Sequence, residues 1–336
     1  MPRPQSDPEK IPDMTLPDPP DDYVSTLACS NGTGLLAAGS WDKTVRVWSV
    51  VQPDCRYAYI HGGPVLCACW TTDGKQLFSG GMDGVGFLSD ASTGQVVQST
   101  RHDTAIQMAN WLEFSNGSSA LLTTEWDKTM KASFWDPRTP EPIQTTILHD
   151  YPTSVNVRSP LLVVGMAKHY IEIFHLDYAG SPFKTRLSPL KSTTTVVSCF
   201  TNGPLIGYAV GAMDGRTAIW YAEEHNTSND FIFRCHSQDT CSDSGGLPVA
   251  HTVNDISFHP VNGTLATCGS DGTIKLWDKD HQKRLKTLEI YEGPVSRCSF
   301  NPDGTILAYA TNRRLSVGIS PKYQIKLHMC NTEVKG

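Results

Sequence analysis

Three histidines precede three aspartates at similar intervals: His61 before Asp83, His102 before Asp127 and His251 before Asp271, at 22, 25 and 20 residues. A histidine beside a carboxylate is half of a nucleophilic catalytic set, and a hydroxyl or thiol must complete it. Nothing completes it here. The chain has no G-x-S-x-G elbow, no Gly-Lys-Ser/Thr phosphate loop and no G-x-G-x-x-G opening a helix. Metal chemistry has one nearest set, Cys235, His236, Cys241 and His251. Its spacing matches no familiar zinc site, and it flanks a polar insertion. The chemistry left to the His–Asp pairs is structural, because a buried carboxylate needs hydrogen-bond donors. The chain reads as a non-enzyme with no cofactor and no metal.

The elements that position these residues repeat. Aligning on small–small–x–Asp–x–x–apolar–x–apolar finds "GSWDKTVRV" (Asp42), "GGMDGVGFL" (Asp83), "TEWDKTMKA" (Asp127), "GAMDGRTAI" (Asp214) and "CGSDGTIKLW" (Asp271). The first two steps are 41 and 44 residues, and the 87 from Asp127 to Asp214 is two periods. In the middle of that gap, "VVGMAKHYIEIF" puts Lys168 in the Asp place. A period of 40–45 residues with strand-like alternation is the signature of WD repeats. Each unit holds four short apolar runs separated by Asp-Gly or Asn-Gly turns such as "TTDGK" and "PVNGT".

Seven such units predict an all-β, seven-bladed WD-repeat β-propeller over residues 10–331, in which radial repetition protects the sheet edges. Residues 1–9 form a disordered Pro-rich tail and 332–336 a C-terminal tail. The seventh unit has two readings. Either "RRLSVGIS" is its third strand, or that run is an insertion and "YQIKLHMC" takes the place. In the second case a strand near 11–16 closes the ring. The polar run "CHSQDTCSDSGGLPVA" is a surface insertion.

Hydrophobic content of 39% with 18% charged residues supports a large core. A net charge of −6 argues against a general nucleic-acid binder, so any such contact needs a local basic patch. Ten cysteines, none in C-x-x-C, favour a reducing compartment. No run reaches the roughly 18 apolar residues of a membrane span, and the N-terminal segment lacks the apolar stretch of a signal peptide.

Binding chemistry concentrates just before each Asp place, in the turn that faces the channel rim. Its occupants are Trp41, Met82, Trp126, Ala167, Met213 and Ser270. Two tryptophans and two methionines make an apolar collar of the kind that marks a protein-binding site. Where other units carry Thr44, Thr129 or Thr273 two residues after the Asp, the fifth has Arg216, suited to gripping a carboxylate. A second surface, "WDKDHQKRLK" with "FIFRCH", sets Lys279, Lys283, Arg284 and Lys286 near Phe233, a combination able to contact phosphates and stack a base.

At "GPVLCACW", "EWDKTMKASFWDPRT", "SPLKSTTTVVSCF", "DFIFRCH", "FHPVNGTLATCGSDG" and "WDKDHQKRLKT" the chain resembles the WD-repeat mRNA export factors of the nuclear pore, sisters of the mitotic checkpoint propeller. The likeness runs from "PPDD" at 19–22 to "ILAYAT" at 306–311 and departs from the pattern in the compact seventh unit and at "GMDGVGFLSD". It implies a non-catalytic transport adaptor that binds the GLEBS motif of an FG-repeat nucleoporin and supports poly(A) mRNA export. Such a protein would work in the nucleus, at the nuclear envelope and in the cytoplasm. The GLEBS motif is an extended acidic segment with a helix. The family tryptophans match Trp41 and Trp126, and the fifth-blade arginine matches Arg216, expected to meet a motif glutamate. The strip Lys279–Lys286 with Phe233 matches the family's proposed RNA-facing side. The sister implies the alternative, a spindle-checkpoint adaptor holding a kinase's GLEBS-like segment.

Overall fold

Runs such as Leu35–Ser40 and Leu161–Met166 are small and apolar at nearly every position, and both faces are buried. Strands such as Asp54–Ile60 instead alternate exposed and half-buried residues. The first pattern suits a strand covered on both sides and the second an outer edge. The computed structural model describes residues 12–126, 131–135, 142–176, 181–202, 205–222, 229–238, 249–289, 293–313 and 322–330. Both predicted tails, 1–9 and 332–336, lie outside the described residues.

Among the described residues the strands form seven four-stranded antiparallel sheets and one two-stranded hairpin. The innermost strands are Val24–Cys29, Val65–Trp70, Ile106–Glu113, Pro152–Arg158, Thr194–Asn202, Val253–Phe258 and Val295–Phe300. All seven line one central cavity, and each packs against the next around a closed ring. The core is correspondingly divided. Seven apolar clusters each bridge two neighbouring blades, from the layer of Leu36, Trp48, Ala308 and Leu327 between blades 7 and 1 to that of Tyr309 and Leu276 between blades 6 and 7.

The inner edge of each blade is covered by side chains of its neighbour. Ser25 Oγ donates to Val65 O, Asn110 Nδ2 to Val155 O, Thr195 Oγ1 to Val253 O and Asn254 Nδ2 to Val295 O. Ser154 Oγ and Asn156 Oδ1 accept from Val197 N and Cys199 N, and Arg297 Nε closes the circle on Ser25 O. These contacts occupy backbone groups that would otherwise be open to a foreign strand.

Closure follows the second reading of the seventh unit. The blade orders as Met14–Thr15, Lys322–Met329, Ile306–Arg313, Val295–Phe300, so the N-terminal strand supplies its outermost member. "YQIKLHMC" is the third strand, and residues 314–321 lie outside the described residues. Leu16 is buried between blades 7 and 1, and Trp48 Nε1 donates to Pro17 O at 2.7 Å. The Asp13 carboxylate accepts from His328 Nδ1 at 2.7 Å and from Tyr309 OH at 2.5 Å. Replacing Leu16 by Ala removes the apolar plug of this two-residue strand. We expect a loss of about 2–5 kcal/mol, measured by urea denaturation.

One of the three His–Asp pairings needs correction, and a second reaches outside the described residues. His251 is not the partner of Asp271: His236 Nδ1 lies 2.9 Å from Asp271 Oδ1, and its Nε2 lies 3.1 Å from Thr267 Oγ1. Trp277 Nε1 also donates to Thr267 Oγ1, completing a buried Asp–His–Thr–Trp relay. Spacing misled because His236 itself belongs to the run read as an insertion, "CHSQDTCSDSGGLPVA", in the link between blades 5 and 6. The histidine after the insertion, His251, therefore stands nearer in sequence to Asp271. His102 Nδ1 binds Glu125 Oε1 at 3.0 Å, whereas Asp127 lies outside the described residues. His61 and Asp83 are neighbours at 3.9 Å, with His61 Nε2 on Ser79 Oγ and the Asp83 carboxylate accepting from Gly62 N.

Blade 4 resolves its missing Asp by exchanging roles. Asp150, in the link entering the blade, is buried, accepts from Lys168 N at 2.8 Å and pairs with Lys168 Nζ at 3.6 Å. The carboxylate has moved to the other side of the same turn.

Candidate partner-binding face

The collar positions are equivalent in three dimensions. In every blade the residue before the Asp place donates its backbone N–H to a carbonyl just before the innermost strand. Trp41 donates to Tyr23, Met82 to Pro64, Trp126 to Ala105, Ala167 to Tyr151, Met213 to Thr193 and Ser270 to Thr252, all at 2.9–3.1 Å. Asn312, which donates to Pro294 O at 3.1 Å, is the seventh member. Sequence alignment missed it because the second strand of blade 7 continues to Arg313 without an Asp turn. With the backbone fixed this way, the side chains are left to point from the rim.

They are not folded away. Trp41 is 49% exposed, Met82 46%, Trp126 57% and Met213 53%. Both indoles border the central cavity of about 430 Å³, each just after the second strand of its blade and far apart in sequence. Tyr23 meets Trp41 edge-on, with ring centroids 6.0 Å apart at 76°, an aromatic pair that holds the indole in place. Ile60, Ile147 and Leu187 extend the apolar surface outward; they end the outermost strands of blades 1, 3 and 4 and are largely exposed. Each pairs with the first residue of the third strand, next to the collar turn, so they share its face. The signal for them lay in the register, which the sequence does not display.

The Asp residues beneath the collar are turn braces. Thr44 Oγ1 donates to Asp42 Oδ1 at 2.6 Å, and Arg46 Nη1 to Asp42 Oδ2 at 3.1 Å. Burial pushes the Asp42 carboxyl up, but Thr44, the Asp21 amide and Arg46 outweigh it and hold it below the usual range. Thr273 and Lys275 play the same parts for Asp271. In blade 5 the threonine is replaced, and Arg216 Nε sits 3.6 Å from Asp214 Oδ2 with its side chain 39% exposed. Directly across the strand pair from Arg216 stands Arg234, also exposed. Two guanidinium groups in register repel unless an acid joins them. The Asp214 carboxylate partners Arg216. The sequence missed Arg234 because it falls 18 residues downstream, in the next strand.

The second surface is changed by one correction. Lys279 does not reach solvent: its side chain is 1% exposed, with Nζ 2.6 Å from Asp280 Oδ1 and 5.0 Å from the Phe200 ring centroid. A buried, paired ammonium cannot meet a phosphate. It lies beneath the strip because the turn after Trp277 folds the long side chain back between blades 5 and 6. Lys283 and Arg284 are exposed and Lys286 is half-buried, all on the outermost strand Lys283–Glu289. Phe233 is half-buried between Phe231 and Trp277, with centroids 5.6 and 4.6 Å away.

The four residues nearest to a metal set are not brought together among the described residues. Cys235 is buried against Thr217, His236 is committed to Asp271, and Cys241 lies outside the described residues. Among the described residues no group of three or more His, Cys, Asp or Glu could hold a metal ion, and no helix is long and apolar enough to cross a membrane.

The WD domain, G-beta repeat, matches residues 12–49, 54–86 and 246–278, which cover blades 1, 2 and 6. Among curated proteins the chain is 38% identical to Protein Rae1 of Drosophila melanogaster over 96% of its own length and 95% of the relative's. It is 39% identical to the Poly(A)+ RNA export protein of Schizosaccharomyces pombe, covering 91% and 86% of the two chains. The mRNA export factor GLE2 of Chaetomium thermophilum is 37% identical over 91% and 85%. Similarity this high along almost the whole length, on a ring of seven blades, places the chain in the family of WD40-repeat mRNA export factors.

Proposed function

We propose that this protein is a non-catalytic adaptor of messenger-RNA export that docks the GLEBS motif of an FG-repeat nucleoporin across its collar face. The observation that carries this reading is the pair of half-exposed indoles on one cavity rim, with the Arg216–Arg234 pair on the same face. Indoles supply apolar contact area, and the guanidinium groups await acids, so the occupant is an acidic, partly apolar peptide. The adaptor works in the nucleus, at the pore and in the cytoplasm, a reading supported by relatives named for RNA export. Titrating a synthetic GLEBS segment into the protein should give saturable heat with one site. Absence of heat, with the fold intact by circular dichroism, overturns the reading. A kinase's GLEBS-like segment binding while the nucleoporin segment does not would favour the checkpoint alternative.

Contact with RNA is a second, weaker part of this function, supported by Lys283, Arg284 and Lys286 on one outer strand. Replacing all three with Glu should lower the slope of log K against log salt for single-stranded RNA by about 2, as three phosphate contacts are lost at roughly 0.7 each. Lys279→Glu should disturb stability instead, since its ammonium is buried against Asp280. Equal slopes in wild type and triple variant, measured by fluorescence anisotropy, exclude the strip.

A further inference from the structure

The sequence carries one pattern twice that partner docking does not use: Ser181-Pro182-Phe183-Lys184 and Ser188-Pro189-Leu190-Lys191. Ser-Pro-x-Lys is acceptor chemistry for proline-directed serine kinases. Proline after the acceptor has no N–H to leave unpaired in an apolar kinase pocket. The lysine two residues further on offers a cation to acidic groups of the enzyme. As sequence, the two copies are equivalent.

The fold separates them. Ser181 is exposed, Phe183 is 69% exposed, and the segment runs directly into the outermost strand of blade 4, Lys184–Leu187, at the sheet's free edge. Ser181, Pro182 and Phe183 precede that strand and belong to none of the buried apolar clusters, so a kinase can reach the acceptor without pulling on the core. Ser188 is fastened instead. Its N–H donates to His169 O at 2.6 Å, and its Oγ accepts from Leu190 N at 3.2 Å. Leu190 is buried in the layer between blades 4 and 5, so extending this copy pulls a core side chain into water.

We propose that Ser181 is a phosphorylation site for a proline-directed serine kinase and that the folded protein withholds Ser188. In the step, Ser181 Oγ attacks the γ-phosphorus of Mg-ATP and its proton passes to the kinase's carboxylate base. The γ-phosphorus–oxygen bond to ADP breaks as the Oγ–phosphorus bond forms. The phosphoserine carries about −1.5 to −2 charges at neutral pH. Lys184 pairs with Ile173 and Leu187 with Tyr170, which puts Ser181 at the end of blade 4 away from Ala167. The new charge is therefore added on the side opposite the collar, where it marks the protein for a reader of phosphoserine-proline without touching the indoles. The proposal does not depend on which partner the collar binds.

The test incubates the full folded chain with a cyclin-dependent kinase and Mg-ATP, and maps phosphate by mass spectrometry after limited reaction. A synthetic peptide spanning 178–194 runs in parallel to report acceptor chemistry without the fold. Expected are comparable phosphate on both serines of the peptide and at least tenfold more on Ser181 than on Ser188 in the protein. Ser181→Ala should remove that phosphate while Ser188→Ala leaves it. Folded protein modified equally at both serines, or at neither while the peptide reacts, overturns the proposal. So does a peptide that is refused at Ser181.

Discussion

Replacing Trp41 and Trp126 together by Ala weakens binding of a GLEBS-type peptide by more than about 2 kcal/mol, a factor of roughly 30, while leaving the melting temperature near its wild-type value. The two halves of this expectation rest on the same observation. Each indole is about half exposed on the rim of the central cavity, and the backbone of each collar residue is already held by a hydrogen bond to the link entering its own blade. Truncation therefore removes contact area that a partner would cover and little that the free protein uses. Trp41 gives up its edge-on contact with Tyr23, so of the two single variants Trp41→Ala should show the larger change in stability. Trp126→Ala should act almost wholly on binding. Arg216→Ala adds to the loss only if the peptide keeps its acidic residues, because in the free protein that guanidinium rests on Asp214. Calorimetry of four variants against an acidic and a neutralised peptide separates these effects.

A large effect on stability is also expected at His236, where Ala should cost about 3 kcal/mol and lower the melting midpoint by several degrees. The imidazole is wholly buried between the Asp271 carboxylate and Thr267, and Lys275 Nζ lies 3.4 Å from the same carboxylate. Removing it leaves an acid and a hydroxyl without their shared partner beneath blade 6. His251→Ala, at the position that spacing alone would select, should change stability by much less, since its ring is outside this relay. Equal losses in the two variants contradict the assignment.

The relay also sets an acid limit. Burial holds His236 and His61 below the ordinary histidine value, so the unfolded chain binds protons there that the native protein does not. Stability should fall as pH drops from about 6.5 toward their native values. Asp271 works in the same direction at lower pH. Burial pushes its carboxyl up, but His236, Thr273 and Lys275 outweigh that and hold it well below the usual range. Its contribution is present above about pH 4 and lost as pH falls through the native value. Thermal melts of His236→Ala between pH 7 and 5 should decline less steeply than wild type.

The ring was legible because its signals are local. Turn residues, two-residue alternation and a 40–45-residue period all repeat along the chain, and they fix the blade number and six of the seven collar positions. What escaped depends on contacts across the ring. The carboxylate in blade 4 sits at Asp150 on the far side of the turn, invisible to an alignment that looks for Asp at 168. Lys279 reads as one more surface cation in a basic run, and only the packing of blades 5 and 6 buries it. Arg234 faces Arg216 through strand register, and Asn312 completes the collar through a hydrogen bond, neither of which leaves a mark in linear spacing.

The proposed docking requires that the collar face hold the protein at its nucleoporin. Affinity purification of wild type and of the Trp41→Ala/Trp126→Ala variant from the same nuclear extract, followed by quantitative mass spectrometry, addresses it most directly. An FG-repeat nucleoporin enriched by the wild type and depleted at least tenfold with the folded variant is the predicted result. Equal recovery by both proteins would contradict it.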